Sequence, residues 1–191
     1  FGPFNNNLGG MPKGTFAAAI VTSIDDGTYD SQLLAGVSNE AKKTTLLSGG
    51  NAKAVYYGYA PSQATSQLAC PVVTELVSNQ TGGMSVVNVG DAPTTIHFEY
   101  VLYNGLTYHV WTKNPIDPGK AIGTNRISTN PGGNFMNDGT WLLSELAGKV
   151  FSVYVYTDNG EEIIALNQEA STNFSNDIRN YECINLPAAL P

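Results

Sequence analysis

Thr94-Thr95-Ile96-His97-Phe98-Glu99-Tyr100-Val101-Leu102-Tyr103 alternates apolar and polar side chains, and Asn104-Gly105 separates it from a second alternating run, Leu106-Thr107-Tyr108-His109-Val110-Trp111-Thr112. A period of two places every second side chain on one face, so each run reads as a strand with one buried side. Asn-Gly between two such runs is a strong hairpin signal, because the tight turns that join antiparallel strands need positive φ. With a two-residue turn, Phe98 would face Trp111, Tyr100 would face His109 and Val101 would face Tyr108. Aromatic pairs of this kind stabilise a ribbon.

The same grammar extends in both directions. Upstream, Ala69 to Val77 and Met84 to Val89 read as strands around an Asn79-Gln80-Thr81-Gly82-Gly83 turn. Downstream, Asn114-Pro115 and Asp117-Pro118-Gly119 are turn chemistry. The stretch from Ala121 to Gly139, rich in Gly, Asn and Thr, is long enough for a loop that is either functional or clamped by a partner. Trp141 to Leu146 reads as a short irregular element, and Val150 to Asn167 as a closing hairpin. No long run with a 3.6-residue period interrupts these strands, so the chain is expected to be all-β, a sandwich of two sheets.

Part of this pattern occurs twice. Leu33-Leu34-Ala35-Gly36-Val37-Ser38-Asn39-Glu40-Ala41 aligns with Glu162-Ile163-Ile164-Ala165-Leu166-Asn167-Gln168-Glu169-Ala170. Each copy follows an apolar run and a turn: Ala18-Ala19-Ile20-Val21 with Asp25-Asp26-Gly27, and Phe151 to Tyr156 with Asp158-Asn159-Gly160. Further on, Asn51 to Tyr59 echoes Asn176 to Ile184. The chain therefore reads as the last third of a module followed by one whole module. Residues 1–59 form the partial unit, with an arm over 1–14, strands near Thr15 to Ile24 and Gln32 to Ser38, a polar connection from Lys42 to Asn51 and a short aromatic strand at Val55 to Tyr59. Residues 60–67 form a linker, and 68–191 the β-sandwich module.

Charged residues make up 13% of the chain, the formal net charge is −7 and the isoelectric point is near 4.6. Asn, Thr and Ser together supply about a quarter of the residues, a polar surface built from amides and hydroxyls, as on secreted β-proteins. Nine scattered basic residues do not make the clustered Lys and Arg that nucleic acid requires, and the same balance disfavours anionic membrane surfaces. No apolar run approaches the roughly 20 residues that span a bilayer as a helix. Phe1 opens the sequence without an initiator Met, which fits either a matured subunit gripped by its neighbours or part of a longer protein.

Two cysteines, Cys70 and Cys183, bracket the complete module. An even count without a CxxC pair favours a disulfide over a zinc or redox site, and implies an oxidising, extracellular setting. Such a bridge would staple the module's first strand to its last segment.

Ser85-Val86-Val87-Asn88-Val89-Gly90-Asp91-Ala92-Pro93-Thr94-Thr95-Ile96-His97-Phe98-Glu99-Tyr100 resembles the V-x-N-x-G pattern, short linker and alternating strand of immunoglobulin-like modules of the CARDB type in bacterial surface repeat proteins. The resemblance implies an immunoglobulin-like β-sandwich with a structural or adhesive role, and it carries no catalytic residues. Its physical sense is that the strand ends at Asn88, Gly90 permits a bend, and the chain resumes in the facing sheet.

Catalytic chemistry finds little footing. His97 and His109 both lie within the alternating hairpin, no nucleophile elbow is present, and a histidine metal site would need a third ligand that the sequence does not suggest. Asp25, Asp26 and Asp30 surround a turn without calcium-loop spacing, and Glu161-Glu162 reads as a charged hairpin tip. The aromatics Tyr56, Tyr57, Tyr59, Tyr100, Tyr103, Tyr108 and Trp111 suit a core or interface first and sugar stacking second. Asn79-Gln80-Thr81 and Asn173-Phe174-Ser175 are glycan acceptor motifs in expected loops.

The expected function is a non-enzymatic structural subunit of an extracellular filament or cell-surface array, without cofactor, that polymerises with copies of itself. The contact would bury Phe1, Phe4, Phe16, Ile20 and Leu34. A carbohydrate-binding or adhesive surface module is the alternative.

Overall fold

Among the described residues the chain forms twelve strands, and β5, β6 and β9 carry the alternation read from the sequence. A computed structural model describes residues 37–43, 51–57, 63–77, 80–124, 127–128, 133–171 and 178–186. In chain order the strands are β1 (Val37–Lys43), β2 (Asn51–Tyr57), β3 (Gln67–Glu75), β4 (Gln80–Asn88), β5 (Ile96–Val101) and β6 (Thr107–Thr112). They continue as β7 (Ala121–Gly123), β8 (Phe135–Asn137), β9 (Lys149–Thr157), β10 (Ile163–Ser171), β11 (Ile178–Glu182) and β12 (Ile184–Asn185). β1 and β2 form a hairpin, β11-β10-β4-β7 a four-stranded sheet, and β12-β3-β9-β5-β6-β8 a six-stranded one; every pairing is antiparallel.

The two larger sheets enclose one core, so the fold is an all-β sandwich. Ile96, Phe98 and Tyr100 of β5, Val110 of β6 and Phe151, Val153 and Val155 of β9 are buried from one side, and Met84, Val86, Ile163 and Ala165 from the other. Each fully buried large side chain of this kind contributes about 1.5–3 kcal/mol of transfer free energy. Cys70 of β3 and Cys183 are joined, with Cα atoms 4.5 Å apart across a sequence separation of 113. Cys183 lies between β11 and β12, where the chain leaves one sheet for the other, and its amide donates to Ala165 of β10. The bridge that the cysteine count suggested thus joins the module's first strand to its last segment and pins a crossing between sheets.

Asn88 organises a second set of crossings. Its side chain is wholly buried; Nδ2 donates to the carbonyls of Ala92 and Ile116, both at 2.8 Å, and Oδ1 accepts the Gly90 amide at 2.9 Å. Its backbone bonds Gly119 and Lys120, so one residue ties the β4–β5 arch to the β6–β7 connection. The neighbouring β9–β10 arch joins in: Glu162 O accepts from Val89 and Gly90, and Glu161 Oε2 accepts from Asp91 at 2.7 Å and Ala92 at 3.0 Å. A Cβ on Gly90 would collide with the Glu161 carboxylate, which accounts for glycine there without any appeal to φ. The expectation that the chain resumes in the facing sheet after Gly90 agrees with this corner, since β4 and β5 belong to opposite sheets.

Several local expectations are corrected. The Asn104-Gly105 hairpin has a three-residue loop: Gly105 N donates to Leu102 O, Leu102 N donates to Leu106 O, and Gly105 takes φ +84°. The extra residue shifts the register by one, so Phe98 faces Val110, Tyr100 faces Tyr108 and His97 faces Trp111. Phe98 and Trp111 therefore lie on opposite faces. Val150 to Asn167 is not a hairpin, because β9 and β10 sit in different sheets and Thr157 Oγ1 closes the arch on Glu161 O at 2.9 Å. Thr81-Gly82-Gly83, expected in a turn, belongs to β4, where the missing side chain of Gly82 admits the backbone of Thr74 from the facing sheet. The expected connection from Lys42 to Asn51 is strand at both ends.

Trp141 to Leu146 contains one 3-10 turn, Leu143–Leu146, capped where Glu145 Oε1 accepts the Leu142 amide. The described parts of the long stretch from Ala121 to Gly139 are held by this chain itself: Thr124 exchanges hydrogen bonds with Met84, and Ser128 donates to the buried Glu75 carboxylate. Thr65, in the expected linker, is bridged to Ile163.

Asn88→Ala removes three hydrogen bonds of a wholly buried side chain; the Gly90 amide keeps Glu162 O and the Ile116 carbonyl keeps Thr94 N, while the Ala92 carbonyl loses this partner. The substitution is expected to lower unfolding free energy by about 2–4 kcal/mol, read as a fall in the urea midpoint with an unchanged slope.

Candidate functional site

Two features of the sandwich bear on function: a hairpin present in two copies, and a row of rings on the outer face of the six-stranded sheet.

The sequence repeat has a structural counterpart. Carrying Leu33 onto Glu162 and Asn51 onto Asn176 carries the pair Val37–Tyr57 onto Leu166–Glu182, and both pairs are observed. The same holds for Ser38–Tyr56 with Asn167–Tyr181, Asn39–Val55 with Gln168–Asn180, Glu40–Ala54 with Glu169–Arg179, and Ala41–Lys53 with Ala170–Ile178. Two alignments made independently from sequence thus give one register. β2 lies beside β11, which sets the first hairpin next to its counterpart.

The two copies differ in what flanks them. β10 pairs with β11 on one edge and with β4 on the other over nine residue pairs, from Ile163–Asn88 to Ser171–Gln80. Among the described residues β1 pairs with β2 alone. A β-strand presents unpaired N–H and C=O groups along an edge without a neighbour, and such an edge recruits further strands. Phe1, Phe4, Phe16, Ile20 and Leu34, the aspartates at 25, 26 and 30, Tyr59 and the glycan acceptors Asn79 and Asn173 all lie outside the described residues.

The expected aromatics are dispersed. Tyr100 and Tyr108 are core residues, Tyr103 stands 99% exposed at a hairpin tip, and Trp111 is half-buried on the outer face. On that face Tyr156, His97, Trp111 and Met136 occupy one row across β9, β5, β6 and β8. His97 stacks on Tyr156 at 4.9 Å with 5° between the planes, and its centroid lies 5.2 Å from that of His109 with 15°. The 4.9 Å matches the spacing of adjacent strands, so the Tyr156 and His97 rings turn faces to one another, whereas His97 and His109 meet edge to edge through their nitrogens. A sugar platform needs the opposite arrangement, with ring faces open to solvent.

The imidazoles are also hydrogen-bonded: His97 Nδ1 and His109 Nε2 are 3.0 Å apart, and the Tyr156 hydroxyl lies 3.4 Å from the same His109 nitrogen while donating to Glu99 Oε1 at 3.2 Å. Burial, and then the neighbouring His109, hold His97 below its ordinary value. Burial together with Glu99 pushes the Tyr156 phenol up to about 12. Burial also raises the Tyr100 phenol in the core. Sequence reading placed both histidines in the hairpin, not directly opposite one another, and did not bring Tyr156 to them; the missing signals were the loop length that sets the β5–β6 register and the pairing of β9 with β5.

Searched against protein-family models, curated proteins and solved structures, the chain matches none.

Because the folded state disfavours protonated His97, its contribution to stability is present above the unfolded pKa of about 6.5 and is lost as pH falls through the lower folded value. The melting temperature should therefore drop between pH 7 and pH 5, and the drop should shrink in His97→Gln. An NMR titration of His97 should show a midpoint below 6.5.

Proposed function

We propose that this chain is a non-enzymatic structural subunit of an extracellular filament or cell-surface array, joined head to tail to copies of itself through β-strand contacts of its N-terminal segment. The observation that carries this reading is the edge of β1 that has no neighbour among the described residues. The strand repeats β10 in sequence and in register, and β10 holds a neighbour on the edge that β1 leaves without one among the described residues. A second copy that supplies the missing neighbour makes a contact between two different surfaces, and such a contact propagates unless rotation closes it.

The disulfide between Cys70 and Cys183 fits an oxidising compartment. Among the described residues no helix is long and apolar enough to cross a membrane. The apolar residues Phe1, Phe4, Phe16, Ile20 and Leu34 of the N-terminal segment are assigned to the contact. A glycan-binding surface has weaker support, because the Tyr156 and His97 rings stack on each other.

Deletion of residues 1–14 should lower the extent of assembly while the module from 68 to 185 stays folded. Electron microscopy and sedimentation velocity of the full and shortened chains check this: fibres from the full chain and shorter or fewer particles from the deletion are expected. A full chain that remains a stable monomer at high concentration contradicts the proposal.

A further inference from the structure

His97 on β5 and His109 on β6 are diagonal neighbours of an antiparallel pair, with Glu99 directly opposite His109 and Trp111 directly opposite His97. β5 lies between β9 and β6 in the six-stranded sheet, so the strand beneath His97 is paired on both sides, and the strand beneath His109 is paired with β5. A pair of donors mounted this way is preorganised by rigid elements instead of loops.

The distance between the facing nitrogens has a chemical meaning beyond a hydrogen bond. Imidazole nitrogen binds first-row divalent metals at roughly 2.0–2.1 Å, so two such nitrogens in neighbouring positions on one ion stand roughly 2.9–3.4 Å apart. His97 Nδ1 and His109 Nε2 are 3.0 Å apart. Only a reorientation of the rings is needed for both lone pairs to converge on one ion. We propose that His97 and His109 form a two-histidine binding site for a divalent transition metal, with Cu(II) the preferred ion.

Copper is favoured because imidazole suits it and because affinities for a given nitrogen site rise along the first row to Cu(II) and fall at Zn(II). Among the described residues no group of three His, Cys, Asp or Glu side chains is placed to hold an ion, so water completes the coordination and positions stay open to an outside ligand. Tyr156 is placed to hydrogen-bond a metal-bound water through the hydroxyl that now approaches His109 Nε2, and Glu99 fixes that hydroxyl. Such outer partners orient the ligands and tune the ion. The site is independent of the assembly reading, because it lies on the outer face of the six-stranded sheet and uses none of the N-terminal segment.

The test uses the full chain, titrated with copper(II) chloride and separately with zinc chloride. Binding is followed by calorimetry and by tryptophan fluorescence, since the Trp111 ring lies 5.0 Å from that of His109 and a copper ion there quenches it. One copper per chain at micromolar concentration, with zinc weaker by about tenfold or more, is expected. His97→Gln and His109→Gln should each weaken copper binding by about tenfold or more while leaving the metal-free circular dichroism unchanged. Electron paramagnetic resonance of the wild-type copper complex should show two equatorial imidazole nitrogens. Copper binding as tight in either variant as in the wild type, or a spectrum with one imidazole nitrogen or none, overturns the site.

Discussion

The hydrogen bonds of the Asn88 side chain are the constraint on which the sandwich depends. A two-sheet fold needs its chain to pass repeatedly from one sheet to the other, and each passage exposes backbone groups that no ladder satisfies. Asn88 meets three such groups at once, from Gly90, Ala92 and Ile116, at a position closed to water. Glu161 supplies the next two, at Asp91 and Ala92, from the adjacent arch. The corner is therefore a single polar network in which each arch satisfies the other. A network of this kind specifies one geometry, because leaving a buried member unpaired costs more than the bond itself contributes. The opposite requirement is met at Cys183, where a covalent bond holds the crossing from β11 to β12.

With its corners fixed, the module offers β10 a neighbour on each edge, and the duplicated hairpin acquires its significance against that background. β1 and β2 repeat the pairing of β10 and β11 residue for residue, so the chain has the closing hairpin of the sandwich twice. It pairs only one of the two inner strands on both edges among the described residues. Backbone pairing is indifferent to which chain supplies the strand, which is why an open edge of this kind bears on assembly.

Fold class and disulfide were legible in sequence because each rests on a local or countable signal. Alternation through Ile96 to Tyr100 places Phe98 inside whatever the partner is, and two cysteines allow one bridge. Sheet membership was not legible in the same way. Asp158-Asn159-Gly160 has the composition of a hairpin turn, and what makes it an arch is Glu161 and Glu162 meeting Val89 to Ala92, some seventy residues away in the chain. Gly82 is another case: a strand glycine reads as a turn until the close backbone of Thr74 is seen. The ring row was hidden by one residue of hairpin register and by the pairing of β9 with β5, which no local signal announces. Asn104-Gly105 announced a positive φ, which Gly105 has, but not that Tyr103 would join the loop and bring His97 diagonal to His109.

The central functional claim, that a second copy completes the edge of β1 left without a neighbour among the described residues, is tested most directly by hydrogen exchange resolved to single amides and followed as a function of protein concentration. Alternate amides of residues 37–43 point away from β2, and in the duplicate strand β10 the corresponding amides are bonded to β4. The account predicts that these outward amides exchange fast in dilute solution and become as protected as those of β10 when concentration rises. Fast exchange at every concentration, or full protection already in the dilute monomer, would contradict it.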